Sequence, residues 1–238
     1  MGGELFDRRR LRFRPLSERR NKVFIERDRV DPDGSPPALS SETREAVAEA
    51  SAAIRAARGA GSSVMLAFGA HTIKNGLAPV LIRLLEAGWL THLATNGAGI
   101  IHDWEFAFQG ASSEDVRENL AAGRFGLWEQ TGFCLNLALA VGAYQELGYG
   151  EAVGAMVQRD GLAIPSAERL LEEVRELAET RPGRAAAAAD LLTVVRGLAL
   201  QPGFLPVPHP FKRYGLQAAA FRLGVPFTAH PMFGHDIL

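Results

Sequence analysis

The stretch from Ser63 to Glu105 constrains this chain more than any other, because it spells a complete strand–helix–strand unit. Val64-Met65-Leu66-Ala67-Phe68 is a short apolar run that ends at Gly69, the pattern of a buried strand in a parallel sheet. Leu77, Val80, Leu81, Leu84 and Leu85 recur at the spacing of a helix packed on one face, and Gly88 supplies its stop. Thr91-His92-Leu93-Ala94-Thr95 reads as the second strand and breaks into Asn96-Gly97-Ala98-Gly99. A turn of small residues opening a helix presents free N–H groups and a positive dipole end, which suits phosphate. The GxGxxG fingerprint is absent, so from these residues alone the turn serves either a nucleotide or plain chain reversal.

The rest of the chain extends the unit. Ser40 or Ser41 opens a helix that ends at Gly59-Ala60-Gly61, and Asp103–Phe108 is expected to be helical. Ser112-Ser113-Glu114-Asp115 caps a short helix closed by Gly123. Residues 128–159 form an apolar helical block, divided at Gly148-Tyr149-Gly150. Ser166–Glu179 is amphipathic through Leu170, Leu171, Val174 and Leu177, and Ala185–Ala199 is a further helix. Gln201–Pro210 contains four prolines and reads as an extended connection, Phe211–Leu223 as a helix, and Val225–Ala229 as a strand. The order predicts an α/β fold: a Rossmann-like three-layer αβα arrangement with a parallel sheet and a helical insertion. A basic arm and linker over residues 1–38 precedes this domain, which spans residues 39–238. The chain ends immediately after an expected strand, so a missing C-terminal part is expected.

Net charge of −1 across 238 residues argues against bulk attraction to nucleic acid or membrane, although residues 1–30 hold ten Arg or Lys against five acidic residues. No run reaches the length of a membrane span. The single cysteine, Cys134, lies in an apolar helical run, reads as a buried small hydrophobe and fits a cytoplasmic protein.

Chemistry-bearing residues cluster where parallel strands end. His71 follows the first strand, His102 and Asp103 the second, and His230, His235 and Asp236 the last, so the fold is expected to bring them to one crevice. No spacing among them is a metal-ligand signature, and no metal is expected. Asp103, Glu105, Asp236 and the Trp104 ring suit a cation, and His102 or His235 suits a proton shuttle.

Ala70-His71-Thr72-Ile73-Lys74-Asn75-Gly76-Leu77, Thr91 through Gly99, His102-Asp103, and Gly224-Val225-Pro226-Phe227 running to His235-Asp236 resemble the deoxyhypusine synthase family, on its bacterial side. The resemblance implies a Rossmann-like fold, NAD as cofactor, and transfer of an aminobutyl group from spermidine to an amine. It assigns Ala70, His71, Thr95, Asn96, Gly97, Ala98 and Gly99 to the cofactor, and His102, Asp103 and Asp236 to the polyamine. It also implies a homotetramer, expected to form through the helices of residues 128–159 and the arm. Two departures stand out. The family's catalytic lysine, in a Gly-Ser-Asp-Ser-Gly-like segment, has no counterpart here: the only lysines are Lys22, Lys74 and Lys212, and only Lys74 lies near a candidate site residue, His71. Ile101 and His102 stand where eukaryotic members carry acidic residues. A homospermidine synthase-like enzyme or a catalytically inactive nucleotide-binding relative are the alternatives.

Overall fold

In the computed structural model, residue 7 and residues 10–231 are described, so Arg8, Arg9, His235 and Asp236 lie outside the described residues. The strands are β1 (Val23–Phe24), β2 (Met65–Phe68), β3 (His92–Asn96), β4 (Ala111–Ser112), β5 (Gly161–Ile164), β6 (Gly203–Pro206) and β7 (Phe227–His230). The helices begin with α1 (Ile25–Asp28), α2 (Ser41–Gly59), α3 (Ala70–Lys74), α4 (Ala78–Glu86), α5 (Gly97–Gln109) and α6 (Val116–Ala121). They continue with α7 (Glu129–Tyr144), α8 (Tyr149–Arg159), α9 (Ala167–Leu177), α10 (Pro182–Gly197) and α11 (Leu216–Leu223).

β2, β3 and β7 form a parallel sheet with β3 in the middle, Phe68 opposite Thr95 and Asn96 opposite His230. The strand–helix–strand unit therefore folds as its periodicity predicts, and the last strand joins it. β1 pairs antiparallel with β4, and β5 with β6. The molecule is a mixed α/β architecture with small parallel and antiparallel sheets among helices. Among the described residues no single large Rossmann sheet forms, because the chain between β3 and β7 goes into helices and the separate β5–β6 pair.

The side chains that cap helices do so as read: Ser40 accepts from the Thr43 N–H at 3.1 Å, Asp115 from Glu118 at 2.9 Å and Ser166 from Arg169 at 3.2 Å. Other boundaries move for local reasons. Tyr149 and Gly150 lie inside α8, and the break falls on residues 145–148, since α8 needs Gly150 where it crosses β7: a Cβ there would meet the Phe227 carbonyl oxygen at 2.2 Å. α10 begins at Pro182, three residues before the expected Ala185, because a first-turn proline lacks no hydrogen bond the helix would use. The proline-rich connection contains β6, tolerated in a two-stranded sheet where proline costs no second ladder.

One core runs through the molecule, from Leu16 and Ile25 through Leu93, Trp104 and Phe106 to Leu135, Met156, Leu191 and Leu216. Although Phe133 is 40% exposed, most apolar residues of α7 and α8, including Leu135, Val141, Val153 and Met156, are consumed inside the chain. So is Leu16 in the basic segment, which is woven into the domain through β1 and an Arg19 contact described below. Cys134 is free and buried, and burial pushes its thiol up to about 11. No helix among the described residues is long and apolar enough to cross a membrane.

Candidate active site

The carboxyl ends of β2, β3 and β7 meet at Phe68, Asn96 and His230. After β2 the chain turns at Gly69 straight into α3, so Ala70 and His71 stand at a helix start. After β3 it passes directly into α5, whose first turn is Gly97-Ala98-Gly99. The glycine-rich stretch is thus helix from its first residue. Asn96 caps it, its side-chain oxygen accepting from the Gly99 N–H at 3.0 Å, and by position the N–H groups of Gly97 and Ala98 have no acceptor within the helix. Thr95 donates its hydroxyl to the Phe68 carbonyl at 2.8 Å, tying the two strand ends together. Gly99 is dictated by packing: a Cβ there would lie 2.2 Å from the Thr95 Oγ1. Beside these ends an open hollow of about 490 Å³ is lined by Phe68, His92, Thr95, Asn96, Thr228 and His230, among others. The Thr228 hydroxyl sits 3.2 Å from His92 Nε2 and 3.0 Å from His230 Nε2.

The structure brings Ala70, His71, Thr95, Asn96, Gly97, Ala98, Gly99 and His230 to this one edge. One turn along α5 it places His102, half-buried, with Nδ1 2.6 Å from the Ser112 hydroxyl. That hydroxyl lies 2.5 Å from Glu105 Oε2 and gives its single hydrogen to the carboxylate. The His102 Nδ1 must therefore carry a proton and donate, which leaves Nε2 as a free lone pair. Burial pushes the imidazole down to about 4, reinforced by the charges of Lys74, Arg19 and His71 and opposed by Glu105. His102 is a neutral hydrogen-bond acceptor at pH 7.

Glu105 is the hub of this network. Arg19 grips it with two hydrogen bonds of 2.7 Å, and Thr131 donates to it at 3.1 Å. Arg19, Ser112 and Thr131 were not signalled by the sequence, since Arg19 stands 86 positions away and Ser112 resembled a helix cap. Asp103 faces the other way: its carboxylate accepts from the Leu216 and Gln217 N–H groups, each at 2.9 Å, and from Gln217 Nε2 at 3.1 Å. It caps α11, and burial pushes it up to about 6 against the pull of those donors. Trp104 is wholly buried and stacks on Phe108 at 4.8 Å. The Asp103–Glu105 stretch thus spends both carboxylates and its ring inside the domain.

The lysines differ in their freedom. Lys22 pairs with Asp115 at 2.6 Å, and Lys212 is paired with Asp160. Lys74, at the end of α3, is half-buried and forms no ion pair among the described residues, and its charge bears on His102. Among the described residues no group of three or more His, Cys, Asp or Glu side chains is placed to hold a metal ion. No protein-family model matches the chain, and no curated protein matches it.

Proposed function

We propose that the chain binds NAD across the carboxyl ends of β2, β3 and β7 and acts as a cytoplasmic, Rossmann-like, deoxyhypusine synthase-like enzyme. The reaction moves an aminobutyl group from spermidine to an amine acceptor. The observation that carries this reading is the convergence of Ala70–His71 and Asn96–Gly99 on neighbouring parallel strand ends, at the amino end of α5 and beside the hollow that Thr95 and Asn96 line. Small residues there let a dinucleotide approach the backbone, and the Gly97 and Ala98 N–H groups suit its pyrophosphate. NAD, when bound, supplies a hydride acceptor for the carbon that carries the amine. His102 supports that step by accepting a hydrogen bond at Nε2 from the substrate amine, held in orientation by Ser112 and Glu105. Lys74 is the lysine with access to this edge. The assembly that goes with the reading is a homotetramer.

The internal use of Asp103 and Glu105 favours a second reading, a relative that binds the nucleotide without polyamine chemistry, because a polycation needs carboxylates that are free to face it. Labelled spermidine, NAD and amine acceptors separate the two. Spermidine-dependent absorbance at the NADH wavelength with label in the acceptor supports the transferase. NAD binding with neither signal supports the second reading, and no NAD binding removes both.

A further inference from the structure

Away from the strand ends the fold leaves two further hollows of opposite character. The groove between α7 and α10 is largely apolar, with Phe133, Leu137, Val194 and Leu198 in its lining. The other is a polar cleft of about 290 Å³, at the small end of the range for ligand pockets. Arg14 and Arg20 of the basic N-terminal segment line it, together with Asn119 of α6 and with Arg124 and Trp128 from the connection into α7. Its three carboxylates are each already matched: Glu18 by Arg14 at 3.4 Å, Glu118 by Arg124 at 3.0 Å and Asp115 by Lys22 at 2.6 Å. Arg20 is left over, exposed and without an ion pair or hydrogen bond among the described residues. Arg14 is loosely held, since its contact with Glu18 is long and both side chains are 52% exposed. A buried neutral donor joins them. Asn119 is 5% exposed, and its Oδ1 accepts from Arg124 Nε at 2.5 Å. Arginine can only donate, so this contact fixes which way the amide points. The Asn119 Nδ2 is neither hydrogen-bonded among the described residues nor sealed from solvent.

We propose that this cleft binds a small oxyanion of the phosphate type, either inorganic phosphate or the phosphoryl group of a small molecule. Arg20 supplies a forked, charge-assisted contact, Asn119 Nδ2 a neutral hydrogen bond, and Arg14 turns from Glu18 to add a second positive charge. These donors come from two separate segments of the chain. A phosphate group, with acceptor oxygens on several sides, serves both at once, whereas a carboxylate presents its two oxygens in one direction. The backbone carrying the two arginines is already pinned. Arg14 donates its N–H to the Leu127 carbonyl at 3.0 Å and accepts from the Glu129 N–H at 2.8 Å, and Arg19, next to Arg20, is held by Glu105. Little ordering is therefore left for the ligand to impose. The chain as a whole carries a net charge of −1, so affinity for an anion comes from these groups and not from a bulk field. The cleft shares no lining residue with the hollow at the strand ends, and nothing here depends on the transferase reading.

Calorimetric titration of inorganic phosphate, phenyl phosphate and acetate into the full chain, at pH 7 and constant ionic strength, tests the site. Saturable one-to-one binding of phosphate is expected, with the Asn119 side-chain amide signal moving in ¹⁵N spectra over the same concentrations. Arg20→Gln should weaken binding at least about tenfold, and Arg20→Lys, which keeps the charge but loses the fork, should fall between it and the wild type. Arg117→Gln removes an exposed α6 arginine that does not line the cleft and should leave binding unchanged. Phenyl phosphate binding tighter than phosphate assigns the site to a phosphorylated small molecule, and the reverse order assigns it to free phosphate. No saturable binding of either overturns the proposal, as does binding that survives Arg20→Gln or that Arg117→Gln weakens equally. Acetate binding as tightly as phosphate overturns it in favour of a carboxylate.

Discussion

His102 lies on α5 and His209 packs against it, and burial pushes both imidazoles down to about 4. Their surroundings differ. His102 has Nδ1 fixed by Ser112 and a side chain that stays 19% exposed. His209 is fully enclosed, edge-on to Trp104 and Phe108 at 6.1 Å, and neither ring nitrogen has a hydrogen-bond partner. A depressed pKa therefore marks two different things. At His102 it accompanies a wired ring with one free lone pair, the pattern of a working group. At His209 it accompanies an aromatic side chain used as filling, with two unsatisfied nitrogens as its cost.

The sharpest way to break this contrast is to cut the wire. Glu105→Ala strands the Arg19 guanidinium, which is 3% exposed, and removes the acceptor of Ser112 and Thr131. It should cost about 3–5 kcal/mol in urea unfolding, in line with breaking one side of a buried pair. A loss under about 1 kcal/mol would show that the network does not hold the domain together.

Acid comes next. Both histidines have folded-state pKa values below the unfolded 6.5, so their contribution is complete above pH 6.5 and is lost as pH falls towards 4. Each is of order 3 kcal/mol. Asp103, raised to about 6 from 3.8, has the opposite sign: it favours folding at low pH and loses that contribution as pH rises through 6. The net fall in stability between pH 6.5 and 4 should thus equal that of about one histidine. Unfolding free energies measured across this window check it, and a flat profile would show that these groups are not buried as described.

Replacing His209 sharpens the comparison further. His209→Phe removes two unpaired nitrogens and keeps the ring, so stability at pH 7 should be unchanged or rise by about 1 kcal/mol. The same change at His102 should lower stability, because Ser112 loses its partner. Equal responses at the two sites would erase the distinction. The smallest effect is expected from Ser112→Ala: a modest stability loss, but a redistribution of the His102 tautomer visible in imidazole nitrogen shifts, with His209 unmoved.

How legible these regions were follows from how local their signals are. β2, α4 and β3 declare themselves through apolar runs and i, i+3, i+4 spacing, and the β3–α5 turn through its glycines. The Arg19–Glu105 network had no such signature. Its members come from the basic segment, α5, β4 and α7, and nothing local says that Arg19 faces inwards. Asp103 was legible as a charge near a helix, but the backbone it serves lies 113 positions away at Leu216. His209 sits in a stretch dominated by prolines, whose message is chain direction and not burial.

The claim that the Gly69–His71 and Asn96–Gly99 edge receives a nucleotide is tested most directly by titrating NAD into the ¹⁵N-labelled full chain and following backbone amide shifts. Saturable shifts should concentrate at Gly69–His71 and Gly97–Gly99, with weaker ones at Ser112 through His102, while amides around His209 stay still. No saturable shift, or shifts confined to the groove between α7 and α10, would contradict the claim.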